Sequence, residues 1–495
     1  MQYQSTRDQG ISVSAARAIA QGLSRDGGLF VPTALPNLTA ETLERLIHMT
    51  YIDRAIVLMG LFLDDFSPEE LRAFAEKAYG PAAFDSPAVA PVVPLDAQTV
   101  FLELWHGPTC AFKDMALQML PHLLTASLDK TGETKDVCIL VATSGDTGKA
   151  ALEGFRDVPR TKIMVFYPED GVSDVQKLQM TTQEGQNVGV CAVRGNFDDA
   201  QAGVKSIFSD EHMRRALDSA GYFLSSANSI NWGRLLPQIV YYVSAWCDMI
   251  QSGALQKGEA LNFCVPTGNF GNILAGFYAK KMGLPIGRLI CASNCNDVLT
   301  EFITTGVYNK NRPFYTTISP SMDILVSSNL ERLLFELSGG DDALVAGYMK
   351  ALADAGVYSV SDDIKAGIAK DFTSGWSSDD ETKKTIAETF KEYRYLIDTH
   401  TAVAYSVLKN YRAQTGDTTK TVVVSTASPY KFCDSVLDAL GDDSGAKNLD
   451  GIDRLEAVTG VKAPLPLHQL RGKTKRFDAC VGKEEMPAVV AQFLK

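Results

Sequence analysis

Apolar residues recur at two different spacings along this chain of 495 residues, and the spacing changes near residue 95. Before that point they recur every three or four positions, which predicts amphipathic helices at residues 15–23, 41–49 and 69–78. After it, short apolar runs alternate with helical patterns. This alternation is typical of a largely parallel sheet covered by helices.

We therefore predict an α/β protein of three domains. Residues 1–93 form a mainly helical N-terminal domain, and residues 94–255 and 256–495 form two open, mostly parallel α/β domains. A cluster of prolines between residues 81 and 94 marks the first boundary. Proline is excluded from helix interiors and from central strands, so neither element continues through this stretch.

The pattern from residue 100 to residue 124 predicts a strand, a turn and a helix. Val100–Trp105 alternates in polarity, and Lys113 falls in the opening of the following helix. The positive end of the helix and the apolar neighbours Phe112 and Met115 both favour the neutral amine. A neutral, fixed amine is what a covalently acting lysine requires. A solvated lysine on an amphipathic helix fits the same pattern, so both interpretations stay open at this point.

Three further corners, where a predicted strand runs into a helix, are rich in small and polar residues. They are Thr143–Gly148 after the strand Val137–Ala142, Thr267–Asn272 after Leu261–Pro266, and Ser425–Phe432 after Thr421–Val424. Ligands bind outside the carboxyl ends of strands in open α/β sheets, so these corners are candidate binding loops. Each one taken alone is explained equally well by a tight turn and a helix cap.

The first two corners do not fit the common nucleotide-binding motifs. A P-loop ending at Gly148-Lys149 would need Gly at 143 and Ser or Thr at 150, where the chain has Thr143 and Ala150. The Thr267–Asn272 corner lacks the G-x-G-x-x-G pattern. What remains are backbone amides and hydroxyls that open a helix, which suit a carboxylate or a phosphate.

A fourth polar stretch, Ser225–Asn231, leads into an apolar helix predicted at Leu235–Ile250. Arg234 falls just before this helix, where a solvated residue is the simplest interpretation. Two other charged stretches are predicted to be solvated as well. They are a surface loop at Ser377–Lys384 and a basic turn at Arg471–Arg476.

Composition excludes several classes of function. The formal net charge of -12 argues against a general affinity for nucleic acid, so an anionic substrate would need locally concentrated basic groups. No apolar run reaches the roughly 20 residues that span a bilayer, and Met1–Ser5 does not resemble a signal peptide. Nine cysteines without a C-x-x-C pair indicate reduced thiols and no metal site. We therefore expect a cytoplasmic protein without a membrane partner.

Taken in their order along the chain, these segments resemble the threonine synthase family. This family consists of pyridoxal-phosphate enzymes of fold-type II, the tryptophan synthase β-like fold. The segments that carry the resemblance are Ser5-Thr6-Arg7, Gly22 to Pro32, His106 to Asp114, Ser144 to Gly148, Asn228 to Asn231, Gly268 to Asn272 and Ser425 to Phe432. The match runs over nearly the whole chain and is greatest to the bacterial and fungal subgroup with an extra N-terminal domain.

The resemblance implies a cofactor, pyridoxal 5'-phosphate, and a role for each matching residue. Lys113 would bind the cofactor covalently and act as the catalytic residue, and Thr426 would face the pyridine nitrogen. The 5'-phosphate would lie in the loop formed by Gly268, Asn269, Phe270, Gly271 and Asn272. The substrate's carboxylate would bind at Ser144, Asp146 and Thr147, and its phosphate at Asn228, Ser229, Arg234 and Lys431.

The implied reaction converts O-phospho-L-homoserine and water to L-threonine and phosphate, catalysed by a monomer. Alternatives on the same scaffold are a threonine-synthase-like phospho-lyase and a serine/threonine dehydratase. An inactive sensor of phosphorylated amino acids is the alternative outside the enzymes. The chain departs from the common family pattern at Ser428, where histidine is common, and at Ile397-Asp398-Thr399, where a proline is common.

Overall fold

The N-terminal part of the computed structural model, which describes residues 1–494, combines a small sheet with four helices. The strands β1 (Gln2–Ser5), β2 (Ser12–Ser14) and β3 (Phe30–Pro32) form an antiparallel sheet in the order β2-β1-β3. The helices are α1 (Ala15–Gln21), α2 (Ala40–Ile47), α3 (Tyr51–Gly60) and α4 (Pro68–Tyr79). The three helices predicted here are confirmed, and α3 is an additional one.

Side-chain caps explain where these four helices begin. Each is preceded by a serine or threonine whose hydroxyl accepts a hydrogen bond from a first-turn amide: Ser14, Thr39, Thr50 and Ser67. Such caps satisfy amides that have no partner within the helix.

The middle of the chain alternates strands and helices. These elements are β4 (Val92–Pro94), β5 (Thr99–Glu103), α5 (Asp114–Leu117), α6 (Leu120–Lys130), β6 (Asp136–Ala142), α7 (Asp146–Gly154), β7 (Thr161–Pro168), α8 (Asp174–Thr181), β8 (Val188–Val193), α9 (Phe197–Ser209), α10 (Glu211–Ser219), β9 (Tyr222–Ser225) and α11 (Trp232–Gln251).

The rest of the chain continues the alternation. Its elements are β10 (Leu261–Pro266), α12 (Gly271–Lys281), β11 (Ile286–Ser293), α13 (Val298–Thr305), β12 (Val307–Asn309), α14 (Leu330–Leu337), α15 (Asp342–Asp354), β13 (Val357–Ser359), α16 (Asp362–Asp371), β14 (Phe372–Trp376), α17 (Asp379–Tyr393), α18 (Thr399–Thr415), β15 (Thr421–Ser425), α19 (Cys433–Ala439), α20 (Asn448–Thr459), α21 (Leu465–His468), β16 (Cys480–Val481) and α22 (Met486–Phe493). Short 3-10 turns occur at Pro320–Met322, Pro429–Phe432, Gln469–Gly472 and Lys483–Glu485.

Two sheets organise these elements. The larger has the order β14-β11-β10-β15-β5-β4 and is parallel except for its edge strand β4. The smaller has the order β16-β8-β7-β6-β9 and is parallel throughout. The expected α/β class with mostly parallel sheets is thus confirmed.

Strand pairing crosses the boundaries of the predicted ranges. The strand β5, which leads to Lys113, pairs with β15 in the larger sheet, and β16 near the C-terminus pairs with β8 in the smaller sheet. The ranges 1–93, 94–255 and 256–495 stay a prediction about folding units. Membership of the two sheets does not follow these ranges, because distant strands supply the neighbours.

The helix α11 lies at the centre of the core. Nearly all of its residues are buried, and it packs against α2, α3, α5 and α12. Its first residue, Trp232, is fully buried, and the rings of Tyr3, Phe62 and Tyr278 surround it. This packing joins the N-terminal helices to the elements that carry the site.

The prediction of a surface loop at Ser377–Lys384 was wrong, because α17 begins within it. Ser378 and Glu381 form a capping box, in which each side chain accepts a hydrogen bond from the other residue's amide. Asp379 and Asp380 fall in the first turn, where negative charge stabilises a helix. The charged run is therefore the start of a helix.

Across residues 1–494, no helix has both the length and the apolar character that a membrane crossing requires.

Candidate active site

The segment that carries Lys113 is held at the carboxyl edge of the larger sheet by the loop that follows β15. The amide of Phe112 donates to the carbonyl of Thr426 at 2.8 Å, and the amide of Ser428 donates to the carbonyl of Cys110 at 3.0 Å. Two corners that are far apart in sequence are thereby fixed to each other. Lys113 and Thr426 consequently lie beside one cavity.

The surroundings of Lys113 favour its neutral amine. Burial and, secondarily, the positive charge of Arg234 lower the pKa of Lys113 from 10.5 to about 7, against the opposing effect of Asp146. Its Nζ atom lies 4.2 Å from the centroid of the Phe112 ring. Lys113 immediately precedes α5, as expected, although α5 is only four residues long.

The helix α12 presents an uncapped N-terminus to the same cavity. Phe270, at the N-cap position, has a left-handed backbone with φ of 62°, and no side chain caps the first turn. The amides of Gly271 and Asn272 therefore open the helix without an internal partner. Amides arranged in this way at the positive end of a helix bind phosphate.

At Gly268, the loop before α12 has room for backbone atoms but not for a side chain. A Cβ atom added there would lie 2.7 Å from the carbonyl oxygen of Ser321. The carbonyl of Gly268 accepts a hydrogen bond from the hydroxyl of Ser327 at 2.8 Å, which holds the loop in place. The glycine is thus required for the close approach of two loops.

An asparagine that the sequence analysis did not single out joins two of the predicted binding loops. Asn329 Nδ2 donates to Ser229 Oγ at 3.0 Å and to the carbonyl of Asn269 at 3.1 Å. The guanidinium of Arg332 donates to Asn329 Oδ1 and, at 2.6 Å, to the carbonyl of Ile230. These contacts fix the distance between the loop before α11 and the loop before α12.

Two adjoining cavities bring most of the predicted site residues together. The first, of about 40 Å³, is lined by every predicted cofactor residue: Lys113, Gly268, Asn269, Phe270, Gly271, Asn272 and Thr426. The second, of about 240 Å³, is lined by five of the seven predicted substrate residues, Ser144, Thr147, Asn228, Ser229 and Arg234, as well as by Lys113. Lys113 thus borders both cavities.

Arg234 is a buried cation without a carboxylate partner. It is 2% exposed, one Nη atom donates to the carbonyl of Ala227, and its Nε atom has no hydrogen-bond partner. Burial lowers the pKa of Arg234 to about 10. A buried guanidinium with a free donor is suited to an anionic ligand, because such a ligand would satisfy both the charge and the donor.

The residues of the first cavity fit a phosphorylated cofactor. Besides the uncapped helix, the Nδ2 atom of Asn272 is buried without a partner, while its Oδ1 atom accepts from the hydroxyls of Tyr241 and Tyr242 at 2.6 and 2.7 Å. The unpartnered groups here are all donors, which is the chemistry a phosphate requires. The same cavity is lined by Lys113, the lysine whose pKa is lowered.

Asp146 and Lys431 bind each other and do not line either cavity. Lys431 Nζ lies 2.8 Å from Asp146 Oδ1, and the ammonium also donates to the carbonyl of Thr109 at 2.8 Å. Burial acts to raise the pKa of Asp146, but the charge of Lys431 and the hydrogen bonds from Lys431 and Gln176 lower it. The helix α7 begins at Asp146, within the predicted corner Thr143–Gly148.

His400 also lines the first cavity, although no sequence motif predicts a role for it. Its Nδ1 atom lies 2.8 Å from Asp398 Oδ2, and its Nε2 atom accepts a hydrogen bond from the amide of Ser321 at 3.2 Å. This pair of partners selects the neutral tautomer with the proton on Nδ1. The signal in the sequence was Asp398, which caps α18 and could have pointed to the neighbouring histidine.

Three family models match the chain: Threonine synthase N terminus at residues 2–79, Pyridoxal-phosphate dependent enzyme at residues 85–360, and Threonine synthase, C-terminal, at residues 401–488. The threonine synthase of Pseudomonas aeruginosa is 41% identical over 437 residues, which cover 88% of this chain and 90% of that protein. The chain belongs to the threonine synthase family. The threonine synthase of Saccharomyces cerevisiae is 37% identical over 466 residues, covering 88% and 89% of the two chains.

Solved structures of threonine synthases have the same fold. The structure of threonine synthase from Brucella melitensis, described as bound to pyridoxal phosphate, has a TM-score of 0.88 at 37% identity and full coverage of both chains. The yeast threonine synthase has a TM-score of 0.88 at 34% identity, covering 100% of this chain and 98% of that one. The expected fold-type II class is confirmed.

Human threonine synthase-like 1 is 40% identical over 436 residues. The match covers 86% of this chain but spans 58% of that protein's length. The family model for pyridoxal-phosphate-dependent enzymes covers both Lys113 and the Gly268–Asn272 loop.

Proposed function

We propose that this chain is a threonine synthase that converts O-phospho-L-homoserine and water to L-threonine and phosphate. The observation that carries the proposal is the position of Lys113 in the cavities that two sets of unpartnered donors also line. One set is the uncapped end of α12 with Asn272, and the other is Arg234. A lysine that borders two anion sites suits a phosphorylated cofactor and a phosphorylated substrate together.

The residues of the first cavity would hold pyridoxal phosphate. The amides at the start of α12 and the side chain of Asn272 would bind the phosphate group, Thr426 would face the ring nitrogen, and Lys113 would bind the aldehyde carbon. When bound there, the cofactor supplies an electron sink for charge that develops on the substrate's carbon atoms.

Lys113 is the residue that moves protons in this proposal. With a pKa of about 7, a large fraction of the amine is neutral near neutral pH, so it can accept protons from the substrate's Cα and Cβ. It can then deliver a proton to Cγ after phosphate has left and return one to Cα after water has added at Cβ. A lysine with an ordinary pKa would be almost wholly protonated and unable to act as a base. The apolar ring of Phe112 beside Nζ helps to keep water away from the amine.

The second cavity would bind and orient the substrate. Arg234, with the polar groups of Asn228 and Ser229, would bind the phosphate and neutralise its charge as it leaves Cγ. Ser144 and Thr147, at the start of α7, would bind the carboxylate through their hydroxyls and the adjacent amides. Asp146 and Lys431 would act from behind this wall as positioning residues, since they bind each other.

The test is a single reaction in which inorganic phosphate and threonine are both measured from O-phospho-L-homoserine. Equal amounts of the two products support the proposal, and Lys113→Ala should abolish both. Phosphate without threonine would favour the phospho-lyase, and a keto acid formed from threonine would favour the dehydratase. Binding of the phosphorylated amino acid by a protein without a visible cofactor band would favour the sensor.

Two further properties belong to this proposal. We expect a cytoplasmic protein, since all nine cysteines are free, as is usual in a reducing compartment. We also expect a monomer with no nucleic-acid or membrane partner. Size-exclusion chromatography with light scattering tests the monomer, and a mass of twice the 53.7 kDa of one chain would contradict it.

A further inference from the structure

A third cavity, larger than the two of the active site, adjoins the substrate cavity. It has a volume of about 990 Å³ and lies between residues 21–25 of the N-terminal part and the helices α9 and α10. It shares Ala142, Gln201, Lys205, Asn228 and Ile230 with the substrate cavity. We call this third cavity the vestibule, because it adjoins the substrate cavity through these shared residues.

One face of α9 forms part of the wall of the substrate cavity. Phe197, Gln201 and Lys205 are spaced by four residues, so they lie on the same side of the helix, and all three line the cavity. Lys205 lies at the junction, because it also lines the vestibule. Its ammonium donates to Gln201 Oε1 at 3.2 Å, a neutral acceptor. This partner leaves the charge of Lys205 available to a ligand.

The charge of a bound phosphate group would require a second cation in the substrate cavity besides Arg234. A phosphate monoester carries about -1.5 to -2 charges at neutral pH. Arg234 and Lys431 are the two cations expected to bind the phosphate. Because Asp146 neutralises Lys431, Arg234 is the one of the two whose charge is still available. The carboxylate of Asp323 lines the cavity and adds negative charge. Lys205 is the remaining cation of this cavity besides Lys113.

We propose that Lys205 binds the phosphate group of the substrate together with Arg234, and that it selects phosphorylated over unphosphorylated amino acids at the junction of the vestibule and the substrate cavity. The inference rests on the proposed function, which supplies the phosphorylated substrate. Because Lys205 lines both cavities, its ammonium can attract the phosphate group in the vestibule and still contact it in the substrate cavity.

A second cation of the vestibule is consistent with this route. Arg214 on α10 lines the vestibule and bonds a neutral acceptor, the carbonyl of Phe208, at 3.3 Å. The acidic residue of the wall, Asp218, is paired with Lys135. In a chain of net charge -12, a cavity with uncompensated positive charge is a local exception. Such an exception concentrates anions at the entrance.

The experiment compares Lys205→Gln, Lys205→Arg and the control Arg215→Gln in the holoenzyme. Arg215 is an exposed residue of α10 outside the three cavities, so its removal changes the net charge equally. We expect Lys205→Gln to raise KM for O-phospho-L-homoserine by roughly tenfold with kcat changed by less than about twofold. Lys205→Arg should restore most of the loss, and Arg215→Gln should leave KM unchanged.

A binding measurement separates this inference from the proposed function. Calorimetric titration of the holoenzyme with inorganic phosphate should show weaker binding in Lys205→Gln by a similar factor, while the affinity for L-homoserine, which lacks the phosphate, stays the same. The inference is overturned if Lys205→Gln binds phosphate as the parent does, or if Arg215→Gln weakens it equally. If the parent binds phosphate but makes no threonine, the proposed function fails, and phosphate binding alone decides the role of Lys205.

Discussion

Lys431 and Asp146 form a buried ion pair, with 2.8 Å between Nζ and Oδ1 and side chains that are 0% and 4% exposed. The pair joins the turn after β15 to the first residue of α7, and so it connects the larger sheet to the smaller one. Gln176 on α8 also donates to Asp146 Oδ1, at 2.7 Å. Two residues expected to contact the substrate therefore hold two corners of the site at a fixed distance.

Removing one member of this pair should destabilise the protein strongly. Lys431→Met leaves the carboxylate of Asp146 buried without its cation, which costs about 3–5 kcal/mol of the free energy of unfolding. The double variant Asp146→Asn, Lys431→Met should recover a large part, because no buried charge is left. Urea unfolding of the three proteins measures both effects. A double variant as unstable as the single one would contradict the charge explanation.

The pH dependence of cofactor attachment should report the lowered pKa of Lys113. Only the neutral amine attacks an aldehyde, so the rate at which the apoprotein binds pyridoxal phosphate covalently should rise with pH and level off above about 7. The positive charge of Arg234 contributes to this lowering, although burial is the larger cause. Arg234→Met should therefore shift the profile to higher pH, and Arg234→Lys should shift it less.

The attachment is measured as the growth of the visible absorption band after mixing, at a series of pH values. A profile that rises only near pH 10.5, the ordinary value for lysine, would show that the amine is not desolvated. Equal pH profiles for Arg234→Met and the parent would show that Arg234 does not contribute to the lowered pKa of Lys113.

Gly268→Ala should weaken cofactor binding. The added Cβ would lie 2.7 Å from the carbonyl oxygen of Ser321, and a backbone atom has little freedom to move away. Overpacking of this kind costs about 1–3 kcal/mol, which corresponds to roughly 5- to 150-fold in affinity if it is felt in the bound state. Gly347→Ala is the matched control, because no atom lies within 4 Å of its added Cβ.

The affinity is measured by titrating each apoprotein with pyridoxal phosphate. Equal affinities for Gly268→Ala and Gly347→Ala would show that the Ser321 loop moves without affecting the site.

His400 should position the loop that contains Ser321. His400→Phe leaves the amide of Ser321 without its acceptor, a loss of about 1–3 kcal/mol for a buried group. His400→Gln keeps an acceptor at a position close to that of Nε2 and should retain most of the function. The measurement is cofactor affinity together with kcat for both variants. Equal losses in the two variants would mean that the imidazole itself, and not its acceptor atom, is required.

Much of the fold could be predicted from local patterns. The predicted strands at 137–142 and 261–266 and three of the four helices of the N-terminal part agree with the structure to within a few residues. These elements are specified locally, because the spacing of apolar residues determines which face is buried and the capping residue determines where a helix starts. The prediction of a loop at Ser377–Lys384 was wrong although the sequence carries a local signal for a helix there, the capping box of Ser378 and Glu381.

The sequence could also indicate which corners carry chemistry, and the structure places Lys113, Thr426 and the Gly268–Asn272 loop on one cavity. The sequence could not indicate that Lys431 is paired with Asp146. A lysine in such a corner is equally consistent with an ion pair and with a site for a phosphate or carboxylate. The contacts of Asn329 with Ser229 and of His400 with Ser321 could not be predicted either, because in each case the partner lies in a distant loop.

By itself, then, the sequence determined the helices, the strands and the polar corners of this protein, because backbone hydrogen bonds within helices and the burial of one face depend on residues that are near neighbours in the chain. Only the tertiary structure decided which charges are paired and which remain free for a ligand. That depends on strand order, such as β5 beside β15, and on the contacts that this order creates between remote loops.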